Sequence, residues 1–325
     1  MCASGKKLML ELPLKVVLTE EGASNFISHK KRLLRFRLAD NIDEYGISLN
    51  KFSPQSIQSM LLLDYISKIE MSMPEFVSSR QGVMDLSKII VYSLLYKQFD
   101  RDIYNAILQC ECVRSYNRKN PAHLIDERTK MSEKQLRGIL INKDDVIGAI
   151  RREILDPVWE AIRSNKDYSI EEKNVYMLMS EKFMNRMGLM NWYIITLFHK
   201  ADGFSDMIVS IRNLLSSYME KSKVAEYISV MVMELALNNE NANIRKEAKN
   251  MFPNIDDINA LLLEPETRTK IVKELQRKRV LVSVSWKLGG GSTSIGKQGR
   301  LQITLYNKDD EFQDVKENIE SKMSA

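Results

Sequence analysis

From Ser53 to Arg279 the apolar residues of this chain recur at the helical period, and only near its two ends do they alternate as strands do. Punctuation is scarce, with seven prolines and thirteen glycines in 325 residues. That scarcity favours long regular elements, mainly helices, over a turn-rich β architecture. Eighteen methionines add to the helical bias, because Met is a good helix former and an adaptable core filler.

Near the N-terminus, apolar and polar residues alternate in part, with Leu12, Leu14, Val16 and Leu18 on one set of positions, and predict a strand. Glu20-Glu21-Gly22 reads as a turn or helix start, residues 33–38 as a partner strand, and Leu49 as part of a third. Ser53-Pro54 then places a capping residue before a proline at the first helical position. Ile57, Met60, Leu61, Ile66, Ile69 and Met73 follow at helical spacing until Pro74, so one helix is expected over that run. Further helices are expected around Leu86 to Leu95, Ile103 to Val113 and Val146 to Trp159, the last kinked or split at Asp156-Pro157. Ser169 with Glu172 forms a capping box for the next helix. Residues 188–199 are apolar nearly all round, the pattern of a helix buried at the centre of a bundle. Met207 to Met219 and Val224 to about Asn250 predict two more helices, and Glu264-Pro265 starts another that ends near Arg279.

The period then changes. Residues 280–286 and 300–306 alternate, and the glycine-rich run 289–299 lies between them, which predicts an antiparallel hairpin with a long loop. A polar helix over about Phe312 to Met323 is expected to close the chain. The fold class is therefore α+β and predominantly helical. Its expected parts are a small α/β segment over 1–52, a helical bundle over 53–200, and a helix with a β-hairpin over 201–325.

Composition narrows the function classes. Net charge is +5 with an isoelectric point near 8.9, a mild excess. Its densest concentration is Lys30, Lys31, Arg32, Arg35 and Arg37, interleaved with apolar residues, which reads either as a solvated face or as a phosphate-binding strip for nucleic acid. Three cysteines (Cys2, Cys110, Cys112) give no disulfide framework and suit a reducing compartment, so a cytoplasmic location is expected. The three histidines are widely separated and predict no metal centre. The most apolar stretch, 187–198, is too short to span a bilayer, so no membrane span is expected.

Two stretches have residue types that could carry chemistry. Gly291 to Lys297 fits the first seven positions of the phosphate-cradling Gly-x4-Gly-Lys-Ser/Thr loop. Gln298 replaces the hydroxyl residue and a strand follows where the anion-binding helix should begin, so a mobile hairpin tip is the favoured reading. Lys297 and Arg300 are left as anion or partner contacts. The second stretch is residues 234–243, where Glu234 and Asn238 stand four apart on one helix face and Asn243 follows.

That spacing resembles the N-box helix of the histidine-kinase/Hsp90/MutL-type ATPases. The resemblance covers about the last third of the chain and extends to the order of helix, inserted segment, strand pair and short helix. It implies Asn238 on Mg²⁺ between the phosphates of Mg-ATP or Mg-ADP, with Glu234 as general base. Where that family reads adenine with Asp and following glycines, this chain has 307–311, with Asp309 the nearest substitute and no glycine. The whole chain is also similar to uncharacterised spirochaete proteins, through Leu12-Pro13-Leu14-Lys15, Arg151-Arg152-Glu153-Ile154-Leu155, residues 188–193 and Trp286-Lys287-Leu288-Gly289-Gly290.

The leading expectation is a cytoplasmic, non-catalytic scaffold or regulatory protein that uses no cofactor and works through protein–protein contacts, homo-oligomerisation included. The alternatives are a nucleotide-binding signalling protein with a degenerate ATPase module, and a nucleic-acid-associated protein.

Overall fold

The computed structural model describes residues 9–38, 43–255, 257–289 and 300–307. They form a predominantly helical α+β protein with a six-stranded antiparallel sheet of order β2-β3-β1-β4-β5-β6. The chain divides into two compact units, one built from Met1–Leu94 with Val224–Ala325 and the other from Leu95–Lys223. The boundaries do not fall at residues 52 and 200, where the sequence suggests them. The reason is the sheet, which pairs strands from both halves of the chain and so gathers them into one unit.

In the sheet-bearing unit, β1 (Leu14–Leu18) lies between β3 (Asp43–Leu49) and β4 (Ile66–Met73), and β2 (Leu34–Arg37) flanks β3. A Cβ on Gly46 would come within 1.9 Å of the Val16 carbonyl oxygen, so only glycine permits this approach of β3 to β1. The expected hairpin is present as β5 (Val282–Gly289) and β6 (Arg300–Asn307), antiparallel, with β5 pairing β4 from Lys68↔Lys287 to Met73↔Val282.

The β4 strand corrects the sequence reading, which runs one helix from Ile57 to Met73. Helix α2 (Pro54–Leu62) is capped by Ser53, whose hydroxyl accepts the Ser56 N–H, and it stops where Asp64 takes a left-handed φ of 57°. Beyond it, Ile69, Met71 and Met73 occupy one face and Lys68, Glu70 and Ser72 the other. A register shift opposite Val17 and Leu18 lets Ile66 join the apolar face as well. Apolar residues at 66, 69 and 73 satisfy the helical period and this interrupted strand equally well, and hydrogen-bonded neighbours on both sides decide for the strand.

The apolar face of the sheet packs against Ile57 and Leu61 of α2, Val83, Leu86 and Ile90 of helix α3 (Arg80–Gln109), and Val232, Met233 and Ala236 of helix α9 (Phe204–Met251). Around β4 and β5 the opposite face is polar, while Val17, Phe36 and Leu38 form a small apolar cluster of their own. Glu70, wholly buried, has the Lys15 ammonium 3.7 Å away, and the hydroxyls of Ser72 and Ser283 share a 2.7 Å hydrogen bond. Two helices are expected where α9 runs unbroken for 48 residues. The intervening Glu220 to Lys223 carries no glycine or proline, and the buried Ser222 hydroxyl donates back to the Met219 carbonyl within the same helix.

The second unit is all helical among its described residues. It contains α4 (Glu111–Lys119), α5 (Glu133–Leu140), α6 (Asp144–Ser164), α7 (Ile170–Arg186) and α8 (Leu189–Phe198), with the adjoining parts of α3 and α9. The α7 capping box forms as expected, with Ser169 and Glu172 bonding each other's backbone N–H. Helix α6 runs through Pro157 without splitting. Proline lacks the N–H that the Glu153 carbonyl would accept, and the Arg212 guanidinium supplies a donor to that carbonyl at 3.5 Å. Cys110, extended, ends α3 and begins α4, and both it and Cys112 are buried free thiols. Burial pushes the Cys110 thiol up to about 11, which suppresses thiolate chemistry.

Asp100 ties α3 to the start of α8. Its carboxylate accepts the Gly188 N–H at 2.9 Å and the Asn191 amide at 3.0 Å. Burial nevertheless raises its pKa above the ordinary value, against those two hydrogen bonds. A raised folded-state value means that the Asp100 contribution to stability is fully present below the unfolded-state pKa of about 3.9 and is lost as pH rises through the folded-state value. Urea titrations from about pH 4 upward are expected to show this slope in the wild type and to show it flattened in Asp100→Asn.

Candidate functional site

The C-terminal half of α9 carries an unusual density of buried polar side chains. Asn238, Asn239, Glu240, Asn243 and Glu247 are each no more than 9% exposed. With 3.6 residues per turn these do not share one face. Asn238 lies beside Glu234, whereas Asn243 stands nine residues, or two and a half turns, from Glu234 and therefore on the opposite side of the helix.

The two sides meet different neighbours. Half-exposed Glu234 lies 3.4 Å from the Arg80 guanidinium at the start of α3. Asn243 accepts a 3.0 Å hydrogen bond from the Asn307 amide at the end of β6. The structure thus keeps Glu234 and Asn238 adjacent but does not bring Asn243 to them. Arg300 is exposed at the start of β6, opposite Gly289. Lys297, Asp309, the loop from Gly291 to Lys297 and the expected closing helix lie outside the described residues.

Sequence reasoning passes over Glu240, the most constrained acid in the helix. It is wholly buried, and one carboxylate oxygen accepts the backbone N–H groups of Phe76 at 2.5 Å and Val77 at 3.2 Å. The other accepts from the Arg268 guanidinium at 2.5 Å, and Glu75 lies 3.5 Å from the same guanidinium. Burial raises the Glu240 carboxyl pKa, opposed by the Phe76 N–H, the Arg268 charge and the Val77 N–H. All three partners are donors, so the ionised carboxylate satisfies every one of them. A signal for this existed in the sequence. Glu240 stands four residues from Ala236 and from Ile244, both wholly buried, and an acid at a core position of a helix requires a cation.

Arg268 belongs to helix α11 (Pro265–Lys278), and nearly three turns beyond it Lys278 pairs with Glu247 of α9 at 2.8 Å. The arrangement is a joint. It fixes the turn after β4, including the single 3₁₀ turn Val77–Ser79, to α9 and α11 through charge-assisted hydrogen bonds. Both Glu240 oxygens are engaged, and three of the carboxylate's roughly four lone-pair sites are taken by donors of the joint itself. Two hollows of about 140 Å³ and 320 Å³ lie in the unit Leu95–Lys223, and neither is lined by Glu234, Asn238 or Asn243. Among the described residues no group of three or more His, Cys, Asp or Glu is placed to hold a metal ion. Nor is any helix among them long and apolar enough to cross a membrane.

The basic strip is divided by its own neighbours. Lys30 takes a left-handed φ of 56°, the Lys31 ammonium lies 5.0 Å over the Phe26 ring, and Arg35 pairs with Asp43 at 2.5 Å. Arg35 and Arg37 project from β2, the edge strand, where charged side chains discourage pairing with another sheet.

Residues 5–325 match the sequence model of a family of unknown function, DUF8084. An uncharacterised protein of Treponema pallidum (strain Nichols) is 36% identical over 317 residues, which are 97% of this chain and 82% of that protein. The similarity to uncharacterised spirochaete proteins is therefore borne out, whereas the ATPase resemblance gains no support from these matches. No solved structure matches.

Proposed function

We propose that this chain, which belongs to the DUF8084 family, is a non-catalytic scaffold or regulatory protein that acts through protein–protein contacts. The observation that carries the reading is a solvent-facing apolar stripe on α9. Val224, Tyr227, Val230 and Met231 are 45%, 73%, 44% and 55% exposed and fall within about a third of the helix circumference. Beside it, Glu226 is held by Lys88 at 2.5 Å and Tyr92 at 3.2 Å, which firms the edge of the stripe. Contiguous exposed apolar surface bordered by polar groups is characteristic of interaction sites, and an aromatic residue at its centre is a common anchor.

The test is a photoreactive amino acid placed at Tyr227 in the native cell, with Ser59, also exposed, as the control position. A discrete protein adduct is expected at 227 and not at 59, with its yield reduced by Met231→Glu. An adduct with a second copy of the chain would identify homo-oligomerisation. Absence of any adduct at 227 would overturn the reading. Millimolar Mg-ADP is expected to leave the Tm unchanged, because a ligand raises stability only if it binds the folded state. A rise in Tm that Asn238→Ala abolishes would establish nucleotide binding instead.

A further inference from the structure

A second feature lies in the unit Leu95–Lys223 and does not depend on the partner reading. Tyr168, just before α7, and Tyr176 within it place their ring centroids 5.0 Å apart at an interplanar angle of 52°. The Lys223 ammonium of α9 occupies the corner they form, 4.9 Å from the Tyr168 centroid and 5.7 Å from that of Tyr176. Aromatic faces are negative, and a cation within about 6 Å of two of them is attracted by both.

The corner opens on the hollow of about 140 Å³, whose walls include Ile162 and Met219 as well as the two tyrosines. Among the residues that line it Glu220 carries the one charge, so once Lys223 leaves the corner a cation is favoured there and an anion disfavoured. At roughly 30 Å³ for each water's share of liquid volume, the space equals four to five waters. That suits a cation of a few heavy atoms with apolar substituents.

We propose that this hollow is a binding site for a small organic ammonium, and that Lys223 is an internal ligand holding the cation position until such a molecule displaces it. The aromatic corner takes the charged nitrogen, Glu220 balances its charge, and the walls of Ile162 and Met219 take its methyl or methylene groups.

The test follows ¹³C-labelled tyrosine rings of the full chain by NMR during titration with choline chloride, with sodium chloride at equal concentration as control. Choline is expected to shift the Tyr168 and Tyr176 resonances saturably, and Lys223→Ala is expected to tighten its binding roughly five- to thirtyfold. That factor corresponds to about 1–2 kcal/mol of self-occupancy relieved. In the Lys223→Ala background, Tyr168→Leu should abolish the saturable shift and Glu220→Gln should weaken it. Tyr168 is half-buried and Glu220 exposed, so neither change threatens the fold. A Lys223→Ala protein with no saturable response at tens of millimolar choline, or one that sodium chloride reproduces, would overturn the proposal. So would binding that survives Tyr168→Leu undiminished.

Discussion

Replacing Glu240 by alanine is expected to destabilise the sheet-bearing unit by about 3–5 kcal/mol, the usual cost of removing one partner from a buried ion pair. Three donors lose their acceptor together, namely the Phe76 and Val77 N–H groups and the Arg268 guanidinium. The loss is therefore desolvation without compensation, rather than a missing contact. Glu240→Gln keeps one oxygen acceptor and nearly the same volume, and it is expected to cost less. Trp286 belongs to this unit, while Trp159 and Trp192 belong to the other. Urea unfolding followed by fluorescence in a Trp159→Phe/Trp192→Phe background therefore reads the effect where it arises. A Glu240→Ala midpoint equal to that of the parent would show that the joint contributes nothing.

The second large effect belongs to the helical unit. Phe183 is 1% exposed and lies between two tyrosines, its ring centroid 5.0 Å from Tyr96 and 4.7 Å from Tyr218. Tyr218 in turn meets Phe99 edge-on at 5.6 Å, so Phe183 sits inside an aromatic chain linking α3, α7 and α9. Phe183→Ala is expected to cost about 3–5 kcal/mol through lost burial and the cavity left behind. Phe183→Leu, which leaves a smaller void, should cost less. Followed through Trp159 and Trp192 in a Trp286→Phe background, the midpoint should fall in the order wild type, Leu, Ala. An unchanged midpoint in that background, with a drop seen only by Trp286 in the Trp159→Phe/Trp192→Phe background, would contradict the placement of Phe183 in this core.

These two residues also show how far the sequence could be read. Phe183 is legible from local signals, since helical spacing behind a capping box places it on a helix face, although Val175 and Leu178 of that expected face are exposed and its buried companions are Tyr176, Ser180 and Met184. The hairpin of β5 and β6 is legible for the same reason, since alternation on either side of a glycine-rich run is a local signal. Glu240 is different. Its partners lie 164 residues before it and 28 after it, and no local rule pairs an acid with Phe76 or Arg268. The strand β4 was hidden by a coincidence of periods that only its neighbours β1 and β5 resolve. The candidate site was legible in part, because Glu234 and Asn238 follow from i, i+4 spacing. The separation of Asn243 from them also follows from helix geometry once one continuous helix is assumed.

The pairing of β4 with β5 has a consequence for how the protein is made. Ser72 and Ser283, hydrogen-bonded across the two strands, are 211 residues apart in the chain. At about 5–20 residues per second, a ribosome delivers the second roughly 10–40 s after the first. During that interval β1, β3 and β4 can assemble, but the β4 edge that will receive β5 has no partner. The entire Leu95–Lys223 unit emerges in the same interval and has time to complete its own core. Closure of the sheet therefore waits until β5 has emerged behind that whole unit, and the waiting edge of β4 is the surface a nascent-chain chaperone would have to shield.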